Sequence, residues 1–259
     1  MESITFHIKG ILEVFRQLSK GKFLFYFLPG AIITIFYFWV NSATSQIANG
    51  VNFLDGIPLI GSYLEKGVDT AFNIVGFLFD QLYIFIIITI LSPFNTHLSE
   101  KLDTSLTGQK FESGILRIFN DLMRMIFIVF IALSLEFLLM GVWWLVSWIF
   151  GIGDSIYEFI SFVMASFFFG FSFYDHSLER YDVGVFGSLG FAFKKMLMVT
   201  ITGAIFQLLY YFPYTGELPY IGIVIAPVIT TMISTVVFLY YKKRLPKSEL
   251  DGKTSIHNQ

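Results

Sequence analysis

Apolar residues in this chain gather into long runs rather than the short stripes of a water-soluble fold. A helix needs about 20 mostly apolar residues to cross a hydrocarbon core ~30 Å thick. Six segments approach that length: Phe23–Val40, Ala71–Leu91, Met125–Phe150, Ile156–Tyr174, Met196–Phe212 and Tyr220–Tyr241. The period-2 alternation of a lipid-facing barrel is absent, so each run is predicted to be a helix. Met196–Phe212, with 17 residues, is the weakest candidate for a complete crossing. Turn residues pair the later runs into hairpins. Gly151 to Asp154 divides the 125–174 pair and Pro213 to Pro219 divides the 196–241 pair. Pro213, Pro219 and Pro227 are expected to break or kink helix there.

A basic amphipathic stretch precedes each hydrophobic pair. In the first, Ile8, Ile11, Leu12, Phe15 and Leu18 recur at helical spacing, with Lys9, Arg16 and Lys20 elsewhere. The second has Ile115, Leu116, Phe119, Leu122 and Met123 beside Arg117 and Arg124. The third has Val185, Phe186, Leu189 and Phe193 before Lys194 and Lys195. Such faces are predicted to lie along lipid headgroups as interfacial helices.

Composition then removes the competing classes. Of 259 residues, 55% are hydrophobic and only 14% are charged, against about 25% charged in ordinary soluble domains. Too few polar side chains remain to cover a water-facing surface, which excludes a soluble enzyme domain, a disordered chain and a collagen-like fibre. The fold class is an all-α integral membrane protein. Residues 1–246 form one membrane domain and 247–259 read as a disordered cytoplasmic tail.

Charge placement gives orientation. If the six runs alternate in direction, 16 of the 17 Lys and Arg fall on one side, Lys66 being the exception. The positive-inside rule then predicts that both termini are cytoplasmic. With no Cys in the chain, disulfides and thiolate metal sites are excluded. No removable signal peptide is expected in Met1 to Lys22, and nothing in the charge balance points to nucleic acid.

Two acids sit deep in apolar runs, Asp80 and Glu136. An acid at a helix centre costs a few kcal/mol on insertion scales, so each is expected to have a polar neighbour, a proton or water, and to be a polar site inside the membrane. The four His lack metal-ligand spacing, and no nucleophile elbow, phosphate loop or dinucleotide fingerprint occurs. No enzymatic activity, metal or cofactor is predicted.

The Ile-rich run before Ser92 ends at Pro93, which is expected to stop the helix in a sharp turn, with Asn95 or Thr96 capping a restarted helix. At these residues the sequence resembles the CysZ-type sulfate permeases and the related etoposide-induced membrane proteins. The family pattern of Pro-Phe-Asn, Leu and Glu, closed by Leu-x-Gly, is matched by Pro93, Phe94, Asn95, Leu98, Glu100, Leu106 and Gly108. A second block, running from Asp175 to Arg180, resembles the family's Asp-Tyr-Pro-Leu-x-Arg with Tyr and Pro replaced. A third is Pro219, Ala226-Pro227 and Thr230-Thr231.

The resemblance spans about 20–241. It implies two long spanning helices, two partly inserted helical hairpins, homo-oligomers in the bacterial inner membrane, and movement of sulfate or a related small anion into the cytoplasm. The family's anion turn is Gly-x-Arg-Arg before a Leu-Pro. Aligning Leu28-Pro29 places Gly21 on its Gly and Phe23-Leu24 on the arginine pair, leaving Lys20, Gly21 and Lys22 as the candidate anion site. Lysine is a point charge without arginine's planar fork. The missing pair therefore also admits a membrane-shaping scaffold that transports nothing and whose partners are membrane lipids.

Overall fold

The computed structural model describes residues 2–36, 39, 61–109, 115–211 and 221–244; the side chains of 61–83, 115–118, 154 and 243–244 lie outside it. Pro213, Pro219 and the tail 247–259 are likewise outside the described residues. Among the described residues every regular element is helical: α1 (Glu2–Ser19), α2 (Leu24–Phe36, opening as a 3-10 turn), α3 (Gly61–Thr107), α4 (Ile115–Phe150), α5 (Asp154–Glu179), α6 (Val185–Lys194), α7 (Met196–Tyr211) and α8 (Ile221–Arg244). Three stretches of the described residues are long and apolar enough to cross a membrane: Phe119–Phe150, Ser155–Glu179 and Ile221–Lys242. Two bent pairs, α1 with α2 and α6 with α7, raise the number to five if each is one span. The chain is an all-α membrane protein.

Two expectations about helix ends fail. α3 runs unbroken for 47 residues with Pro93 inside it, so there is no turn at Ser92 and no restarted helix for Asn95 or Thr96 to cap. Pro93 removes one N–H from the ladder, but flanking helices support the backbone on either side of such a gap. Asn95 and Thr96, each 2% exposed, are buried rather than placed at a helix start. Pro227 likewise sits inside α8. The Ile223 carbonyl that would have received its N–H instead faces α2, where Gly30 has no side chain to keep the helices apart. α3 ends as glycine dictates: Gly108 adopts φ +77° and donates its N–H to the Thr104 carbonyl at 2.9 Å.

The three amphipathic stretches behave differently. α1 turns 102° into α2, and α6 turns 97° into α7. The second stretch is not a separate helix: it is the start of the 36-residue α4. α1 also carries two apolar faces. Phe6, Gly10, Val14 and Gln17 are buried, while Ile4, Ile8, Leu12 and Phe15 are 53–64% exposed. Its buried face is tied down by His7, whose Nε2 lies 2.8 Å from Thr202 Oγ1 on α7. Thr202 Oγ1 in turn donates to the Tyr174 hydroxyl on α5.

The core lies among α3, α5, α7 and α8. Burial in lipid offers no gain to one apolar surface over another, so close packing must hold these helices together. α5 supplies fully buried Phe168, Phe169, Phe171 and Phe173. The Phe169 ring meets Phe85 at 4.8 Å, and Phe169 and Phe173 meet Phe206 at 5.1 and 4.9 Å between centroids. α5 and α7 approach most closely where Ser166 and Gly170 face Val199 and Gly203. A Cβ on Gly170 would overlap the Val199 carbonyl, and one on Gly203 the Ser166 carbonyl. Gln207 Nε2 spans the same crossing to Ser166 Oγ at 2.6 Å. α4 is the outer helix, exposing Phe130, Leu138, Trp144, Trp148 and Phe150. The turn from α4 to α5 forms at Gly151 (φ +60°) and Gly153, as the sequence predicts.

Candidate functional site

Among the described residues, the ends of α3 and α5 and the start of α4 bring most of the buried charge together. Arg124, in the third turn of α4, points inward. Its Nε and Nη2 donate to the two oxygens of Asp175 at 2.9 and 2.6 Å, the bidentate geometry that suits a planar guanidinium. Nη2 also reaches the Val183 carbonyl at 2.8 Å and Ser188 Oγ at 3.2 Å. That second grip depends on the turn after α5, where Asp182 adopts φ +57°, a conformation that Asp and Asn tolerate better than bulkier residues. Glu179 stands 3.9 Å from Arg124 and shares a hydrogen bond with Asp121, so two carboxyls and one guanidinium share this corner.

A second ion pair lies deeper. Arg180 Nη1 donates to the Ser99 carbonyl and stands 3.6 Å from Asp103 Oδ2, and neither charged side chain is exposed. The Tyr181 hydroxyl donates to the same Asp103 oxygen at 2.9 Å. Burial and the Asp103 carboxylate hold the Tyr181 phenol above its ordinary pKa, so it stays a donor. Tyr181→Phe is expected to cost about 1 kcal/mol through the lost hydrogen bond. Thermal unfolding followed by Trp fluorescence would show this as a fall of about 2–4 °C, and an unchanged midpoint would remove the bond from the account.

The motif residues fall into this region. Asn95, Leu98 and Glu100 are buried, as are Asp175 and Arg180. The blocks around Pro93 and Asp175 touch directly, through Arg180 on the Ser99 carbonyl and through Thr96 Oγ1 at 3.2 Å from His176 Nδ1. Pro93 is half-buried and Phe94 faces outward at 44% exposure. Glu136 is apart from the cluster. It is 1% exposed on α4, with no described hydrogen-bond partner for either oxygen. The Asp80 side chain lies outside the described residues.

The candidate anion turn has a different character. Lys20 and Lys22 are exposed. Gly21 adopts φ +71°, and its N–H donates to the Leu18 carbonyl at 2.9 Å, while the Lys20 N–H donates to Gln17 at 3.2 Å. Both amides therefore close the last turn of α1 and are not available to cradle an anion. The two lysine side chains remain.

Sequence reasoning missed Arg124, Asp103, Asp121 and Tyr181. Arg124 carries a signal in retrospect. It lies three residues after Asp121 on one helical face, and an acid–base pair at that spacing leads an apolar run. Among the described residues, no group of three His, Cys, Asp or Glu is placed to hold a metal ion. No protein-family model and no curated protein matches this chain.

Proposed function

We propose that the protein is a CysZ-like permease that admits sulfate or a related small inorganic anion across a bacterial inner membrane, as a homo-oligomer with both termini in the cytoplasm. The observation that carries this reading is the contact between two of the sequence blocks that resemble the family, those around Pro93 and Asp175. Asn95 and Glu100 on α3, with Asp175 on α5 and Arg180 just past its end, come from motifs 80 positions apart in the chain and converge in one buried polar cluster. Polar groups buried inside a membrane protein are costly, and they commonly mark solute pathways. An arriving oxyanion would meet the Lys20 and Lys22 side chains at the elbow between α1 and α2. Desolvating it requires several charge-assisted donors.

The purified chain in sulfate-free liposomes is expected to take up labelled sulfate. Replacing Lys20 and Lys22 together by Gln is expected to reduce the initial rate about tenfold, the worth of one charge-assisted contact or slightly less. Uptake by the wild type no faster than by empty liposomes overturns the permease reading.

That negative result would favour the second reading, a membrane-shaping scaffold whose partners are lipids. One observation supports it directly. The elbows of 102° and 97° set two helices across their successors, and both crossing helices carry exposed apolar residues, Ile8, Leu12 and Phe15 on α1 and Phe186 and Phe193 on α6. Such helices wedge into one leaflet.

A further inference from the structure

Two helices, each bent sharply away from its successor, meet the last turns of α8. α1 packs where Gly10 lies against Val237 and Phe6 stacks on Tyr240 at 6.3 Å between centroids. α6 packs on the next face, where Phe191 meets Phe238 at 6.0 Å and Tyr241 at 5.6 Å.

Lysines follow the same arrangement. Lys9 on α1 stands 6.0 Å over the Tyr240 ring, and Lys195, at the elbow between α6 and α7, stands 4.8 Å over the Tyr241 ring. Lys194 precedes it and is exposed. None of the three has an ion pair with any described residue. Acids are scarce here. No Asp or Glu occurs from Val183 to Gly216 or from Leu218 to Ser248. On α1, Glu13 is already engaged by Arg16 at 3.5 Å and by Gln17 at 2.6 Å. An aromatic face attracts an ammonium but does not neutralise it, so a patch of positive charge remains.

Exposed apolar side chains stand beside these lysines. On α1, Ile4, Ile8, Leu12 and Phe15 follow one another at three- and four-residue steps. They form a stripe that runs next to Lys9 and clear of the face buried on α8. At the α6–α7 elbow, Phe193, Met196 and Leu197 are 46–58% exposed on either side of Lys194 and Lys195.

This pairing decides the occupant. A free oxyanion would meet the ammonium groups and leave the apolar side chains uncovered. A zwitterionic phospholipid would cover them and bring no net charge. A phospholipid with a net negative headgroup does both: its phosphate meets the lysines and its acyl chains cover the neighbouring stripe.

We propose that α1, the α6–α7 elbow and the end of α8 between them form a docking surface for anionic phospholipid. Lys9, Lys194 and Lys195 receive the phosphates, and the exposed apolar residues beside them receive the acyl chains. The surface has room for more than one lipid, and no two lysines need share a phosphate. It rests on neither the permease nor the scaffold reading.

The test is native mass spectrometry of the purified full-length protein, titrated with an equimolar mixture of phosphatidylglycerol and phosphatidylcholine. The wild type is expected to retain phosphatidylglycerol in preference, to a saturating number of adducts. Lys9→Gln, Lys194→Gln and Lys195→Gln are each expected to lower the ratio of the two lipids about fivefold at the adduct concerned, the worth of one cation near a charged lipid surface. Arg at the same three positions should keep the wild-type ratio, which separates charge from folding. Equal retention of both lipids by the wild type overturns the proposal, as does a preference that survives the triple Gln variant. Displacement of the lipid by sulfate, but not by chloride at the same ionic strength, also overturns it and assigns the lysines to a soluble anion. Preference for phosphatidylglycerol without sulfate uptake supports the surface and removes the permease, whereas sulfate uptake with no lipid preference does the reverse.

Discussion

Replacing Arg124 with Ala is expected to lower stability by about 3 kcal/mol, the smaller end of the range for breaking a buried pair. The choice of the smaller end follows from exposure: the Arg124 side chain is 17% exposed and Asp175 only 2%. Asp175 would be left buried with both oxygens stripped of the guanidinium. The Val183 carbonyl and Ser188 Oγ would lose the same donor, so the link from α5 to α6 loosens as well. For a chain of this size the loss corresponds to a fall of about 6–12 °C in the melting temperature. Asp175→Asn added to Arg124→Ala removes the stranded carboxyl and should recover at least half of the loss. Arg124→Ala melting within 2 °C of the wild type would show that this pair is solvated, roughly as surface pairs are.

Gly203→Leu is expected to be as damaging for a different reason. Any Cβ at 203 meets the Ser166 carbonyl oxygen and lies 2.7 Å from the Gly170 nitrogen. Both obstacles are backbone, so relief comes only by moving α5 and α7 apart, with loss of the Gln207 to Ser166 bond and the Phe169 to Phe206 contact. Overpacking of this kind costs about 3 kcal/mol or more. Size-exclusion chromatography in detergent should show loss of the monodisperse species. Gly190→Ala on α6 is the control, since a Cβ there meets nothing within 4 Å, and better helix propensity should make it neutral or mildly stabilising. A monodisperse Gly203→Leu with wild-type melting would mean that the two helices do not cross here.

The runs of apolar residues were sufficient to place the helices, because the requirement that lipid imposes on a backbone is local: every N–H and C=O must be paired within its own segment. The hairpin turn at Gly151 and Gly153 was readable for the same reason. Pro93 was misread because its local penalty is real but small beside the packing of α3 against α5 and α8, which no local pattern contains. The inward turn of Arg124 was hidden for a related reason. As a cation near a helix start it looks like any other topological marker, and what distinguishes it is Asp175, 51 residues away. Asn95, Glu100, Asp175 and Arg180 were visible through motif order. Their companions Asp103 and Tyr181 were not, since pairing between helices leaves no trace in spacing along one of them. The α1 stripe was half readable: Ile8, Leu12 and Phe15 form a face, but Gly10, the residue that lets α1 approach Val237 on α8, has no hydrophobicity to register.

The short reach of α7 has a consequence for the surrounding lipid. Its 16 residues rise about 24 Å, whereas the 24 residues of α8 rise about 36 Å. A slab about 30 Å thick fits neither, and because the two helices are packed together they cannot adjust separately. Acyl chains beside α7 must shorten or splay, whereas α8, most of whose apolar stretch is buried inside the protein, meets little lipid. The protein therefore carries a built-in preference for bilayers, or for annular lipids, of uneven thickness.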